Sequence, residues 1–129
     1  VTGSPLVAII DDDLGMRLAI DALIRSLDYR TAIFASAEEF LTSRLARTCD
    51  CIISDVRMDG MSGIDLVARL NSAVEGGASP PPTILMSAFT DTQMENAAMT
   101  AGAICLLKKP FNAEALIAHI ETLVASSPI

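Results

Sequence analysis

Three consecutive aspartates, Asp11, Asp12 and Asp13, a further aspartate at Asp55, a serine at Ser87 and the lysine pair Lys108-Lys109 are the residues whose types could do chemistry together. Carboxylates gathered in one place repel each other unless a cation neutralises them. All-oxygen ligand sets favour hard cations, and Mg²⁺ commonly takes one or two carboxylates, waters and a phosphate oxygen. A lysine and a hydroxyl beside them supply donors for an anion. Carboxylates, Mg²⁺, lysine and hydroxyl make a set suited to phosphoryl transfer, and an aspartate can itself be the nucleophile. The residues are spread along most of the chain, so the reading requires a fold that brings them together.

The elements that must do so are legible as an alternation. Leu6 to Ile10 is an apolar strand running into the three aspartates. Met16, Ala19, Ile20, Leu23 and Leu27 have helical spacing and form the expected inward stripe of a first helix. Arg30 to Phe34 reads as a second strand. Ser36 with Glu39 is a capping box opening a helix to about Leu45. Cys51 to Ser54 is a third strand delivering Asp55. Asp59-Gly60 and Ser62-Gly63 are turn signals before a helix over Ile64 to Val74. Glu75 to Pro82, with its glycines and prolines, is a loop. Thr83 to Met86 is a fourth strand delivering Ser87. Asp91 caps a helix to about Ala101 that Gly102 ends. Ile104 to Leu107 is a fifth strand delivering Lys108 and Lys109, and Asn112 caps a last helix to about Ala125. This alternation predicts an α/β fold with a parallel sheet covered on both faces. Ligands of such sheets bind at the carboxyl edge of the strands, where all these polar residues fall.

Composition narrows the function. The chain has 129 residues, 51% apolar and 19% charged, which fits one folded domain rather than a disordered tail. No apolar run is long enough to span a membrane. Sixteen acidic residues against nine basic ones, net −7, argue against a nucleic-acid-binding surface in this segment. Cys49, Cys51 and Cys105 are odd in number and lack zinc-ligand spacing, so they read as reduced, buried thiols of a cytoplasmic protein. His119 has no ligand partner in the sequence and reads as a solvated helix residue. The chain shows no signal peptide and starts at Val1. Residues 1–5 are expected to be a cloning remnant or disordered, 6–125 the folded domain, and 126–129 a tail or the start of a linker.

Four short pieces, in order, carry a resemblance: Val7-Ala8-Ile9-Ile10-Asp11-Asp12-Asp13, Ile52-Ile53-Ser54-Asp55-Val56-Arg57-Met58, Ile84-Leu85-Met86-Ser87-Ala88 and Lys109-Pro110-Phe111. From about Leu6 to Val124 the chain resembles the receiver domain of bacterial two-component response regulators, in the subgroup often followed by a helix-turn-helix output domain. The resemblance implies a flavodoxin-like, doubly wound five-stranded parallel sheet, order 2-1-3-4-5, with five helices. It implies that Asp55 accepts a phosphoryl group from a sensor histidine kinase. It also implies that Asp11, Asp12, Asp55 and the backbone carbonyl of Arg57 hold Mg²⁺, and that Lys109 and Ser87 bind phosphoryl oxygens. Pro110 would follow a cis bond. The output surface would be the fourth helix, fifth strand and fifth helix. The domain would act as a switch that catalyses only its own phosphorylation and dephosphorylation, feeding a downstream output such as transcription. DNA contact would come only through a domain outside this segment.

Two departures from the family pattern stand out. Asp59 occupies a position that is usually proline, which predicts a looser turn and a pairing of Asp59 with Arg57. Leu106 stands where a switching Tyr or Phe is common, so an apolar patch of Leu106 and Met99, with homodimerisation on phosphorylation, is the expected readout. Met94, Ala97, Ala98 and Ala101 should be the inward face of the fourth helix. Leu14 and Leu18 form an outward apolar pair suited to a kinase. Asp13 is either a helix cap or a modulator of the acidic pocket. Two other classes fit less well. Aspartyl-phosphate phosphatases often carry a second aspartate two residues after the nucleophile, where this chain has Arg57, and an acidic triplet after the first strand would repel a flavin phosphate.

Overall fold

A computed structural model describes residues 4–72 and 79–125. Strands β1 (Leu6–Ile10), β2 (Arg30–Phe34), β3 (Cys51–Asp55), β4 (Thr83–Ser87) and β5 (Cys105–Lys108) form one parallel sheet in the order β2-β1-β3-β4-β5. Helices α1 (Leu14–Arg25), α2 (Ala37–Leu41), α3 (Gly63–Ser72), α4 (Thr92–Ala101) and α5 (Ala113–Ala125) alternate with them. This is the predicted topology.

The sheet is buried on both faces because successive strand residues point to opposite sides. Val7, Ile9, Cys51, Ile53, Ile84 and Met86 meet Ile20 and Ile24 of α1 and Leu116 and Ile120 of α5. Ala8, Ile10 and Ile52 meet Phe40 of α2 and Leu66 and Leu70 of α3. Leu85 joins Val67 of α3 and Ala98 of α4 in a smaller cluster. Each fully buried Ile or Leu contributes about 1.5–3 kcal/mol relative to exposure. All five residues of β3 and of β4 are buried, whereas the edge strands β2 and β5 are only partly so.

Register decides where the polar residues go. Ile10 lies beside Ser54, Asp55 beside Met86, and Ser87 beside Lys108. The carboxyl ends of β1, β3, β4 and β5 are therefore aligned to within about one residue, and the order of the strands reverses between β1 and β3, where such folds open a crevice.

Several local expectations are corrected. On α1 it is Ile20 and Ile24 that are buried, with Met16 and Leu23 partly so, and Ala19 is exposed. At about 100° per residue Ala19 lies a quarter turn or more from Ile20, whereas Ile24 lies only about 40° away. The second helix stops at Leu41 rather than near Leu45. The Thr42 and Ser43 hydroxyls bond back to the Glu39 and Phe40 carbonyls at 2.9 and 2.6 Å, and Ser43 then caps a 3₁₀ turn over Arg44–Ala46. Such side-chain bonds compete with helix continuation. On α4 Ala98 is buried and Met94 and Ala101 partly so, but Ala97 is exposed. The contact line is narrower than the stripe predicted. The far end of the third helix, at residues 73–74, and the loop part 75–78 lie outside the described residues, as do residues 1–3 and 126–129.

The caps follow the sequence. Ser36 accepts from the Glu39 amide, Asp91 from Met94, and Asn112 from Glu114 and Ala115. Gly102 ends α4 at φ +114°, a left-handed conformation that favours glycine. Cys49 and Cys51 are buried free thiols, both pushed up to about 12 by burial, and Cys105 is half-buried and free. That leaves Cys49 and Cys51 inert, as expected. His119 is half-buried on α5.

Candidate functional site

Asp11 is the first residue beyond β1 and is wholly buried. Its Oδ1 accepts from the Asp13 amide at 2.9 Å, its Oδ2 takes Lys109 Nζ at 3.1 Å, and its backbone carbonyl accepts from Arg17 Nη1 at 2.8 Å. Asp55, last in β3, is also buried and has Oδ1 3.5 Å from the same Lys109 Nζ. Asp12 is exposed at the pocket mouth, its Oδ2 facing the Asp59 amide at 3.4 Å. Asp11, Asp12 and Asp55 each offer a carboxylate oxygen within 4.8 Å of the others. Asp13 is resolved as a cap: it accepts from the Gly15 amide and opens α1.

The electrostatics are unbalanced. With all three carboxylates charged, the Lys109 ammonium leaves two negative charges over. Burial raises the pKa of Asp55, Lys109 lowers it, and the neighbouring Asp11 and Asp12 push it up further; the net direction is upward. A divalent cation at the three oxygens would cancel the excess, and the all-oxygen donor set suits a hard ion. The residues present therefore fit Mg²⁺.

Ser87, at the end of β4, is buried, and its hydroxyl is turned into its own loop, donating to the Phe89 carbonyl at 2.7 Å and facing the Phe89 amide at 3.3 Å. Lys109 is tied to the same strand through its amide, which donates to the Ser87 carbonyl at 2.8 Å. The Lys109–Pro110 bond is cis. Lys108 is exposed. Gly63 opens α3 against the backbone of Asp55: a Cβ there would stand 2.3 Å from the Asp55 carbonyl oxygen. Only glycine lets α3 start so close to the strand end.

Arg57 and Asp59 form no ion pair. Arg57 instead lies over the exposed ring of Phe89, 6.0 Å from guanidinium to centroid. Leu106 is half-buried and packs on the cluster that holds α4, while Met99 of α4 is 55% exposed.

The crevice thus joins Asp11, Asp12, Asp55 and Lys109, with Ser87 one strand away and facing its own loop. Sequence reasoning missed three neighbours. Phe89 carries the Arg57 guanidinium on its ring, Arg17 bonds the Asp11 backbone, and Glu38 accepts from the Met61 amide in the loop after β3. Glu38 left a faint signal, as a second acid beside the capping Glu39.

The profile of the response regulator receiver domain matches residues 7–121. This chain belongs to that family. A receiver domain implies a histidine kinase as partner. The transcriptional regulatory protein FixJ of Bradyrhizobium diazoefficiens is 34% identical over 92% of this chain and 56% of its own length. The response regulator protein TmoT of Ectopseudomonas mendocina is 37% identical over 95% of this chain and 54% of its own. The chain spans about half the length of these curated relatives. Among solved structures, a response regulator receiver protein from Pseudoalteromonas atlantica superposes with a TM-score of 0.84 at 25% identity, covering 96% of this chain and 100% of that one. A response regulator from Chloroflexus aurantiacus gives 0.84 at 26% identity, covering 95% and 98%. No helix among the described residues is long and apolar enough to cross a membrane.

Proposed function

We propose that this receiver domain is a phosphorylation-controlled switch in which Asp55 takes a phosphoryl group from the phosphohistidine of a sensor kinase. The observation that carries this is the buried Asp55 carboxylate sharing Lys109 with Asp11, at 3.5 and 3.1 Å, within a three-carboxylate cluster. In the transfer, an Asp55 oxygen forms a bond to phosphorus while the phosphorus–nitrogen bond breaks and its electron pair returns to the imidazole. Lys109, whose Nζ lies 3.1 Å from Asp11 Oδ2, binds a phosphoryl oxygen from the side opposite the cation. Ser87 gives up the Phe89 carbonyl and donates to another phosphoryl oxygen, which draws the loop 88–90 inward. Mg²⁺, held by Asp11, Asp12, Asp55 and the Arg57 carbonyl, would neutralise charge on the carboxylate and the phosphoryl oxygens. The chemistry is confined to the domain itself.

Leu14 and Leu18 stand 56% and 49% exposed on α1 beside the pocket, and this is where we place the kinase. The α4–β5–α5 face carries the readout. The relatives' names support a transcriptional output, supplied by a part of the protein beyond this segment, and a cytoplasmic location follows from that role.

Incubation with Mg²⁺ and acetyl phosphate should add one acid-stable, base-labile phosphoryl group, read by intact mass. Asp55→Asn or excess chelator should abolish it, since the amide is no nucleophile. Leu18→Asp should slow transfer from the kinase and leave acetyl phosphate labelling intact. Equal labelling of the Asp55→Asn variant at another site would overturn the assignment, and equal slowing with both donors would point to misfolding instead of a lost kinase contact.

A further inference from the structure

Asp59, Gly60 and Met61 form the tight part of the β3–α3 connection, with Gly60 left-handed at φ +81°. The turn is fastened on both sides. The Asp59 amide faces Asp12 Oδ2 at 3.4 Å, and the Met61 amide donates to Glu38 Oε2 at 3.0 Å. Glu38 belongs to the first turn of α2, far away in sequence. Its carboxylate lies so close to Gly60 that a Cβ there would stand 2.5 Å from Oε2. The Ser36–Glu39 cap fixes that first turn and so fixes where the Glu38 side chain begins. Met61's amide holds the Glu38 carboxyl below its usual range, so the acceptor is charged at neutral pH.

We propose that Glu38 is a positioning residue for the cation site: its carboxylate holds the Asp59–Met61 turn so that Asp12 and the Arg57 backbone meet the cation in register. The inference rests on the reading that Asp11, Asp12 and Asp55 bind Mg²⁺. An Asp-Gly turn has more freedom than a proline turn and must be ordered from outside. A charge-assisted bond from a carboxylate to a backbone amide does this without occupying the pocket. Groups that orient metal ligands typically change affinity ten- to a hundred-fold when removed. Glu38 acts through the backbone, so about ten-fold, the low end of that range, is expected.

The test is calorimetric titration of the whole chain with MgCl₂, well below its melting temperature, for wild type, Glu38→Gln and Glu38→Ala. Glu38→Ala should weaken Mg²⁺ binding about ten-fold and remove hydrogen-exchange protection from the Met61 amide. Glu38→Gln, which keeps a carbonyl acceptor, should retain most of both. At saturating Mg²⁺ the acetyl phosphate labelling rate of either variant should equal wild type, so that only the Mg²⁺ requirement moves. An unchanged dissociation constant in Glu38→Ala, whatever its melting temperature, overturns the inference. So does a glutamine variant that keeps the Met61 protection yet binds Mg²⁺ as weakly as the alanine one, which would trace the effect to charge and not to the position of the turn. A wild type that takes no Mg²⁺ overturns the cation reading itself, and this inference with it.

Discussion

Burial acts against the charge on Asp55, and among the described residues Lys109 is the cation paired with it. Its folded-state pKa lies above the ordinary value of 3.8, so the unfolded chain ionises first as pH rises. Stability is therefore free of this penalty below the unfolded pKa and falls as pH climbs through the folded one. An amide at the same place carries no charge to bury. Without divalent cations, Asp55→Asn should melt higher than wild type at pH 7, and the gap should narrow as pH falls towards 4. Thermal unfolding followed by circular dichroism checks this, and a gap independent of pH would refute it. Mg²⁺ should narrow the gap at pH 7 by stabilising the wild type. At this scale the site was partly legible. Asp11, Asp12, Asp55 and Lys109 announced themselves because each ends a strand whose apolar pattern is plain. Glu38, Arg17 and Phe89 did not, because each acts on an element other than its own.

Among the five α-helices α4 has the least apolar grip, burying only Ala98 outright. Its far end is held by polar contacts instead. Asn71 of α3 donates through Nδ2 to the Ala101 carbonyl at 3.1 Å and to Val67 at 2.9 Å, beside the left-handed Gly102. The helix is pinned at its C-terminal end, while its N-terminal end follows the loop that begins at Ser87. Gly102→Ala would put a Cβ 2.5 Å from Asn71 Nδ2 in a backbone region that alanine disfavours. It should cost about 1–2 kcal/mol, read as a lower urea midpoint at unchanged slope. An unchanged midpoint would mean that the pin does not matter. Caps and strand cores could be read ahead of the structure because they depend on neighbours in sequence. The early stop of α2 could not, since Thr42 and Ser43 each chose a backbone carbonyl over the next helical turn, and the phase of α1 depended on which residue met the sheet.

For the whole molecule, the question is how a change at one edge of the sheet reaches a partner. Met99 is exposed on α4, Ile104 precedes β5 and is 44% exposed, and Leu106 is half-buried below the helix. An outward apolar residue on a loosely held helix suits contact with a second copy once α4 shifts. Beryllofluoride with Mg²⁺ should convert a monomer into a dimer in light scattering, and Met99→Lys should block the conversion. A monomer in both states would rule out dimerisation by this domain, and a dimer indifferent to Met99→Lys would place the interface elsewhere. Topology was legible at this scale because five short apolar strands in alternation with helices leave few alternatives.

The Ser87 hydroxyl has a single proton to donate, and in this structure it is spent on the Phe89 carbonyl. Under the proposed switch the proton moves from one oxygen acceptor to another, and water can take over the carbonyl on exposed Phe89. Before phosphorylation water can stand in for the phosphoryl oxygen, so one hydrogen bond is still exchanged for another, and phosphorylation shifts the balance between two loop arrangements rather than creating a new one. The expected consequence is background: a fraction of molecules that have never met a kinase should occupy the active arrangement at any moment. The same scattering series run without beryllofluoride would register that fraction as a concentration-dependent dimer tail, and its absence at high concentration would set an upper limit on how leaky the resting state is.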